Sequence, residues 1–107
     1  MINPKHYTYR VTWSPEDNEY VALCAEFPSL SYLSEDQTEA LNKMIELVES
    51  VVEDLKDSGE KIPVPLADRK YSGKIHVRIL PEMHRNLSIQ AAEQGVSLNR
   101  FISAKLV

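Results

Sequence analysis

The chain is 107 residues with a formal charge of -4, and 43% hydrophobic against 26% charged residues is an ordinary balance for a water-soluble fold. That length allows one small domain or two very small ones, and no run approaches the ~20 apolar residues that span a bilayer. Its single cysteine, Cys24, excludes an intramolecular disulfide and a cysteine-rich zinc site. The first ten residues are polar and lack the apolar core of a signal peptide, so a cytoplasmic protein is expected.

Charge is distributed unevenly. Residues 1–70 carry 7 Lys and Arg against 14 Asp and Glu, a net -7, whereas residues 71–107 carry 5 against 2, a net +3. An acidic front and a basic back predict different partners, with nucleic acid repelled by the first and attracted by the second.

In chain order, Tyr7, Tyr9, Val11 and Trp13 alternate with Thr8, Arg10 and Thr12, the period of a strand with one buried face. Ser14-Pro15-Glu16-Asp17-Asn18 supplies turn chemistry, and Glu19 to Ala25 reads as the hairpin partner. Cys24 lies in that strand with no basic neighbour to lower its pKa, and is expected to pack as a small hydrophobe. Leu30 to Leu33 is the candidate third strand.

Ser34-Glu35-Asp36-Gln37 fits a capping box, with Ser34 and Gln37 satisfying the first backbone N–H groups of a helix. Leu41, Met44, Ile45, Val48, Val51, Val52 and Leu55 then form an apolar stripe, and Glu39, Glu46 and Glu53 lie opposite. Asp57-Ser58-Gly59 ends the helix. Residues 1–59 are therefore expected as a small α+β domain. Residues 60–71, with Ile62-Pro63-Val64-Pro65 favouring extended backbone, read as a linker.

The tail, residues 72–107, carries the functional signal. Lys74-Ile75-His76-Val77-Arg78-Ile79 alternates without a break, so Ile75, Val77 and Ile79 face one way and Lys74, His76 and Arg78 the other. Pro81 opens a helix with the stripe Leu80, Met83, Leu87 and Ala91, and Gly95 ends it. Ser97 caps a second helix whose buried face is Leu98, Phe101, Ile102 and Leu106. One strand and two short helices cannot close a core, and the strand has no hairpin partner nearby. Two copies pairing antiparallel would bury Ile75, Val77, Ile79, Leu87, Phe101 and Ile102 in a shared core. Lys74, His76 and Arg78 of both copies would line a two-stranded ribbon that fits the major groove, where Arg and Lys donate to guanine. Ser97, Leu98 and Asn99, at a helix N-terminus, would meet a flanking phosphate. A charged edge strand against aggregation explains K-I-H-V-R-I alone equally well. The succession of L-P-E-M-H and G-V-S-L-N-R-F-I makes the DNA-binding pattern specific. A helix-turn-helix fits less well, because the second helix is largely apolar.

The stretch S-G-K-I-H-V-R-I-L-P-E-M-H, followed by A-A-E-Q-G-V-S-L-N-R-F-I, closely resembles the C-terminal ribbon-helix-helix of HicB-type antitoxins. The front half, Y-T-Y-R-V-T-W-S-P-E-D-N-E-Y-V-A-L-C-A-E-F-P-S-L-S and then T-E-A-L-N-K-M, resembles their N-terminal domain. Together the resemblances cover nearly the whole chain in the family's order. They imply a partial ribonuclease-H-like front domain that inhibits a HicA-type toxin, itself a small basic mRNA-cleaving RNase with a catalytic His. They also imply a homodimer, or a tetramer of two dimers, that binds its own operator DNA and represses transcription. No cofactor, metal or membrane partner is implied. Ser29 stands where the family's F-P-G-L element has Gly, and Leu80 where a capping residue or Pro is commoner. The acidic helix and the hairpin loop from Glu16 to Glu19 are the candidate toxin-facing regions. A stand-alone ribbon-helix-helix regulator without a toxin is the alternative.

A nuclease is disfavoured. Two-metal catalysis needs carboxylates converging from several elements, and the strands offer mainly Glu19 and Glu26. His6, His76 and His84 show no metal-ligand spacing, and His84 reads as a surface or dimer-rim residue. No catalytic residues and no enzymatic activity are expected.

Overall fold

The computed structural model describes all 107 residues, which divide into two compact units, Met1–Tyr71 and Ser72–Val107.

In the first unit the predicted alternation produces a hairpin of β1 (Tyr9–Ser14) and β2 (Glu19–Cys24), joined by a turn in which Asn18 adopts φ +53°. Asparagine tolerates that left-handed conformation better than most residues. Ser14 donates from its hydroxyl to Asp17 across the turn at 2.9 Å. A third strand, β3 (Ser31–Ser34), pairs antiparallel with β2 and gives the sheet order β1-β2-β3. The register sets Tyr9 opposite Cys24, Val11 opposite Ala22 and Trp13 opposite Tyr20, so these six side chains share one face.

Helix α1 (Gln37–Asp57) packs across that face. Its most buried line is Ala40, Met44, Val48 and Val52, a strict four-residue spacing, with Leu41, Ile45, Val51 and Leu55 half-buried beside it. Ala22, Ala40, Met44 and Val48 are wholly buried, and with Tyr7, Cys24, Phe27 and Val52 they form the core. Tyr7 and Phe27 meet edge-on, with ring centroids 5.2 Å apart.

The capping box at Ser34 and Gln37 does not form. Asp36 is the N-cap and accepts from the Thr38 N–H at 3.1 Å. Ser34 ends β3, where its hydroxyl accepts from the Asp36 N–H and donates to Glu39, both at 3.1 Å. The helix therefore starts two residues later than a Ser34 cap requires. Its end falls where expected, with Gly59 at φ +72° just beyond the Ser58 C-cap.

Residues 60–71, expected as a linker, are instead built into the first unit. Pro65 is fully buried, and Leu66–Asp68 forms a 3-10 turn. Tyr7 donates its hydroxyl to the Pro63 carbonyl at 2.7 Å, and the Leu66 N–H donates to Glu26 at 2.9 Å. Tyr71 donates to the Leu66 carbonyl, Arg69 to the Val64 carbonyl, and His6 lies 2.9 Å from Asp68. Prolines that make a segment extended also remove N–H donors that would otherwise need partners, which suits a strap lying on a core.

The second unit contains α2 (Pro81–Glu93) and α3 (Leu98–Lys105), packed on each other. Pro81 occupies the first turn of α2, as its fixed φ and missing N–H allow. Gly95, at φ +69°, turns the chain between the helices, and Ser97 caps α3 by accepting from the Arg100 N–H at 3.1 Å. Ala91 and Phe101 are the buried side chains of this unit. No helix of the chain is long and apolar enough to cross a membrane.

Candidate nucleic-acid interface

Alternation from Lys74 to Ile79 predicts a strand, and the single chain does not form one: residues 74–80 belong to no helix or strand. The physical reason lies in the ladder. A strand exists through hydrogen bonds to a neighbour, and the only sheet in this chain is β1-β2-β3. The Lys74 N–H is held by the Ser72 hydroxyl at 3.1 Å, and Gly73 precedes it at φ +81°. Between Ile75 and Ile79 no backbone N–H or C=O is bonded to another part of the chain. The segment has neither coiled into a helix nor folded back onto its own subunit.

Every side chain of this segment is exposed. Ile75 is 74% accessible, Val77 70% and Ile79 39%, and Leu80, at the N-cap of α2, is 69%. Met83, the next residue of the predicted stripe, is also exposed, Leu87 is half-buried, and Ala91 is buried. The apolar stripe of α2 is thus covered at its C-terminal end and bare at its N-terminal end. On α3, Leu98 and Ile102 are half-buried, whereas Leu106, expected on the buried face, is exposed. Phe101, expected in a core shared between copies, is already 4% exposed within its own helix pair, with the Lys105 ammonium 5.3 Å from its ring centroid.

Lys74, His76 and Arg78 are exposed, and none is engaged in an ion pair. Arg85, Arg100 and Lys105 add cationic groups from α2 and α3 against only Glu82 and Glu93. Ser97 holds the first turn of α3 through Arg100, leaving the N–H groups of Leu98 and Asn99 without internal partners. The predicted groups therefore form two sets, the exposed 74–78 segment and the α3 N-terminus, and no bond joins them in one chain. His84 is exposed on α2.

A second constellation escaped the sequence reading. Glu26, considered there only as a metal-binding carboxylate, accepts from the Thr8 N–H at 2.9 Å, the Thr8 hydroxyl at 3.2 Å and the Leu66 N–H at 2.9 Å. Burial pushes its pKa up, but the Leu66 and Thr8 donors outweigh it and hold the carboxyl below the ordinary glutamate range. With these partners Glu26 is a brace between three segments. No set of three or more His, Cys, Asp or Glu side chains is placed to hold a metal ion. Cys24 is buried, and desolvation raises its thiol pKa, which fits a packed hydrophobe.

Residues 58–106 match the model of the HicB family, a stretch that begins at the end of α1 and takes in the strap, the exposed segment and both C-terminal helices. No curated protein and no solved structure matches the chain. With a β-sheet unit in front and a helical unit behind, the protein contains a HicB-family domain at residues 58–106.

Proposed function

We propose that the protein is a non-catalytic antitoxin of the HicB type, which neutralises a HicA-type toxin through its front unit and represses its own operon through its tail. The observation that carries the DNA-binding half is the segment 74–79. It is an alternating apolar and cationic strip whose backbone is unpaired and whose apolar side chains are bare. Exposed, unpaired β-type sequence is an aggregation hazard unless it has a designated partner. Pairing with a second copy about a two-fold axis satisfies the ladder and covers Ile75, Val77 and Ile79 between two α2–α3 pairs. It leaves Lys74, His76 and Arg78 from each copy on the outer face, as a ribbon-helix-helix requires. The dimer then offers six such groups to the major groove, while Ser97, Leu98 and Asn99 hold the flanking phosphates.

The front unit is read as the partial ribonuclease-H-like domain of the family. Its net charge of -7 over residues 1–70 suits a small basic toxin and disfavours DNA or RNA as its own ligand. Of the two carboxylates a nuclease would draw on, Glu26 lies just past β2 and is committed to backbone donors.

The test is co-expression with the small basic protein encoded beside this gene, together with gel-shift measurements on the upstream DNA. The reading expects relief of growth arrest and a salt-sensitive operator complex. Operator binding without relief would identify a stand-alone regulator, and relief without operator binding would remove the repressor function.

A further inference from the structure

Trp13 is the only tryptophan of the chain, and it is 48% exposed although it shares a sheet face with the buried Ala22 and Cys24. The register places Trp13, Tyr20 and Ser34 in one row across the three strands. Tyr20 packs against the core and meets Trp13 edge-on, with centroids 5.0 Å and planes 75° apart. The indole is therefore held in a defined orientation by one neighbour while half its surface faces water.

Carboxylates surround this row. Glu16 and Asp17 lie in the hairpin turn beyond Trp13 and Glu35 follows Ser34, whereas Glu19, opening β2, points to the other face of the sheet. Glu39 reaches back from α1 to accept from the Ser34 hydroxyl at 3.1 Å. No Lys, Arg or His occurs between Arg10 and Lys43, and none of these carboxylates is in an ion pair.

We infer that the Trp13–Tyr20 pair with its acidic surround is the docking surface for a basic protein, and that on the antitoxin reading, which this inference rests on, the occupant is the HicA-type toxin. Tryptophan and tyrosine are the side chains that most often anchor a protein interface, and an arginine or lysine over an indole gains a cation–π attraction. The uncompensated carboxylates add attraction for cationic side chains arriving around that anchor. A second copy of this chain is a poor occupant, because a two-fold contact through this patch would face acid with acid. Nucleic acid is excluded by the same charge.

Labelling the full-length protein with 5-fluorotryptophan gives a single fluorine resonance, because Trp13 is unique. Titration with the adjacent gene's toxin, carrying Ala in place of its catalytic His, should shift that resonance. Trp13→Ala should weaken toxin binding roughly tenfold or more. Glu16→Lys combined with Glu35→Lys, both at exposed positions, should weaken it most at low salt and less as salt is raised. Trp13→Phe should retain part of the affinity and serves as the folding control. If the toxin binds with the resonance unmoved, or binds both variants as tightly as the wild type, the surface is wrong while the antitoxin reading stands. If the wild type does not bind the toxin at all, the antitoxin reading fails and the inference with it. A shift produced by raising the concentration of this protein alone would assign the patch to self-association and overturn the proposal.

Discussion

Glu26 and Leu66 are 40 residues apart in sequence, yet the Glu26 carboxylate accepts from the Leu66 N–H at 2.9 Å. The same carboxylate holds the Thr8 N–H, so one side chain ties the start of β1, the end of β2 and the strap that precedes the tail. Because these donors favour the ionised form, the group's pKa is lower in the folded state than in the unfolded one.

The sign of the pH effect follows. A depressed carboxyl contributes stability that is present above its unfolded pKa and lost as pH falls toward its folded value. The front unit should therefore lose stability progressively below about pH 4.5, the ordinary glutamate value. Glu26→Gln should flatten that part of the curve and cost about 1–3 kcal/mol at neutral pH, since hydrogen bonds to a charged acceptor are the stronger kind. Urea denaturation of wild type and variant between pH 3 and 7 checks it. Parallel stability curves for the two proteins would mean that Glu26 is no brace.

How much of this was legible in the sequence varies with the range of the interactions involved. Alternation at Tyr9 to Trp13 and the apolar stripe of α1 were readable because periodicity is imposed by one buried face. Pro81, Gly95 and Ser97 marked the helix ends because their backbone chemistry is local. Ser34 and Asp36 are both capping residue types, and the sequence does not distinguish them: Asp36 takes the cap and accepts from the Thr38 N–H, while Ser34 stays in β3 and accepts from the Asp36 N–H. Residues 60–71 look like a linker in the sequence because their anchors, Tyr7 and Glu26, lie 56 and 40 residues away from their partners and leave no local pattern. At the candidate site, alternation showed which side chains of 74–79 face together. Which chain completes the ladder is a matter of a second molecule.

Val77→Asp should separate dimerisation from folding. Val77 is 70% exposed in the single chain, so an aspartate there leaves the charge in water and costs the fold little. In the proposed ribbon the same carboxylate enters an apolar core without a partner, which is prohibitive. Light scattering should find a folded monomer, and gel shifts should find no operator complex. A monomer that still bound the operator with wild-type affinity would overturn the shared-strand account.

Arg78→Ala addresses base reading. A bidentate contact to guanine is worth roughly 1–3 kcal/mol of discrimination, and its loss relaxes preference at one position in each half-site. Binding measured over a panel of single-base operator variants distinguishes this from a phosphate contact, whose loss weakens all sequences alike and lowers the salt dependence.

The central claim is that residues 75–79 form a strand only when a second copy supplies its partner, and amide hydrogen exchange measures this directly. The account predicts protected amides within this segment at concentrations where the protein is dimeric, with protection lost in the monomeric Val77→Asp variant. Free exchange throughout 75–79 in a dimer that binds its operator would contradict it.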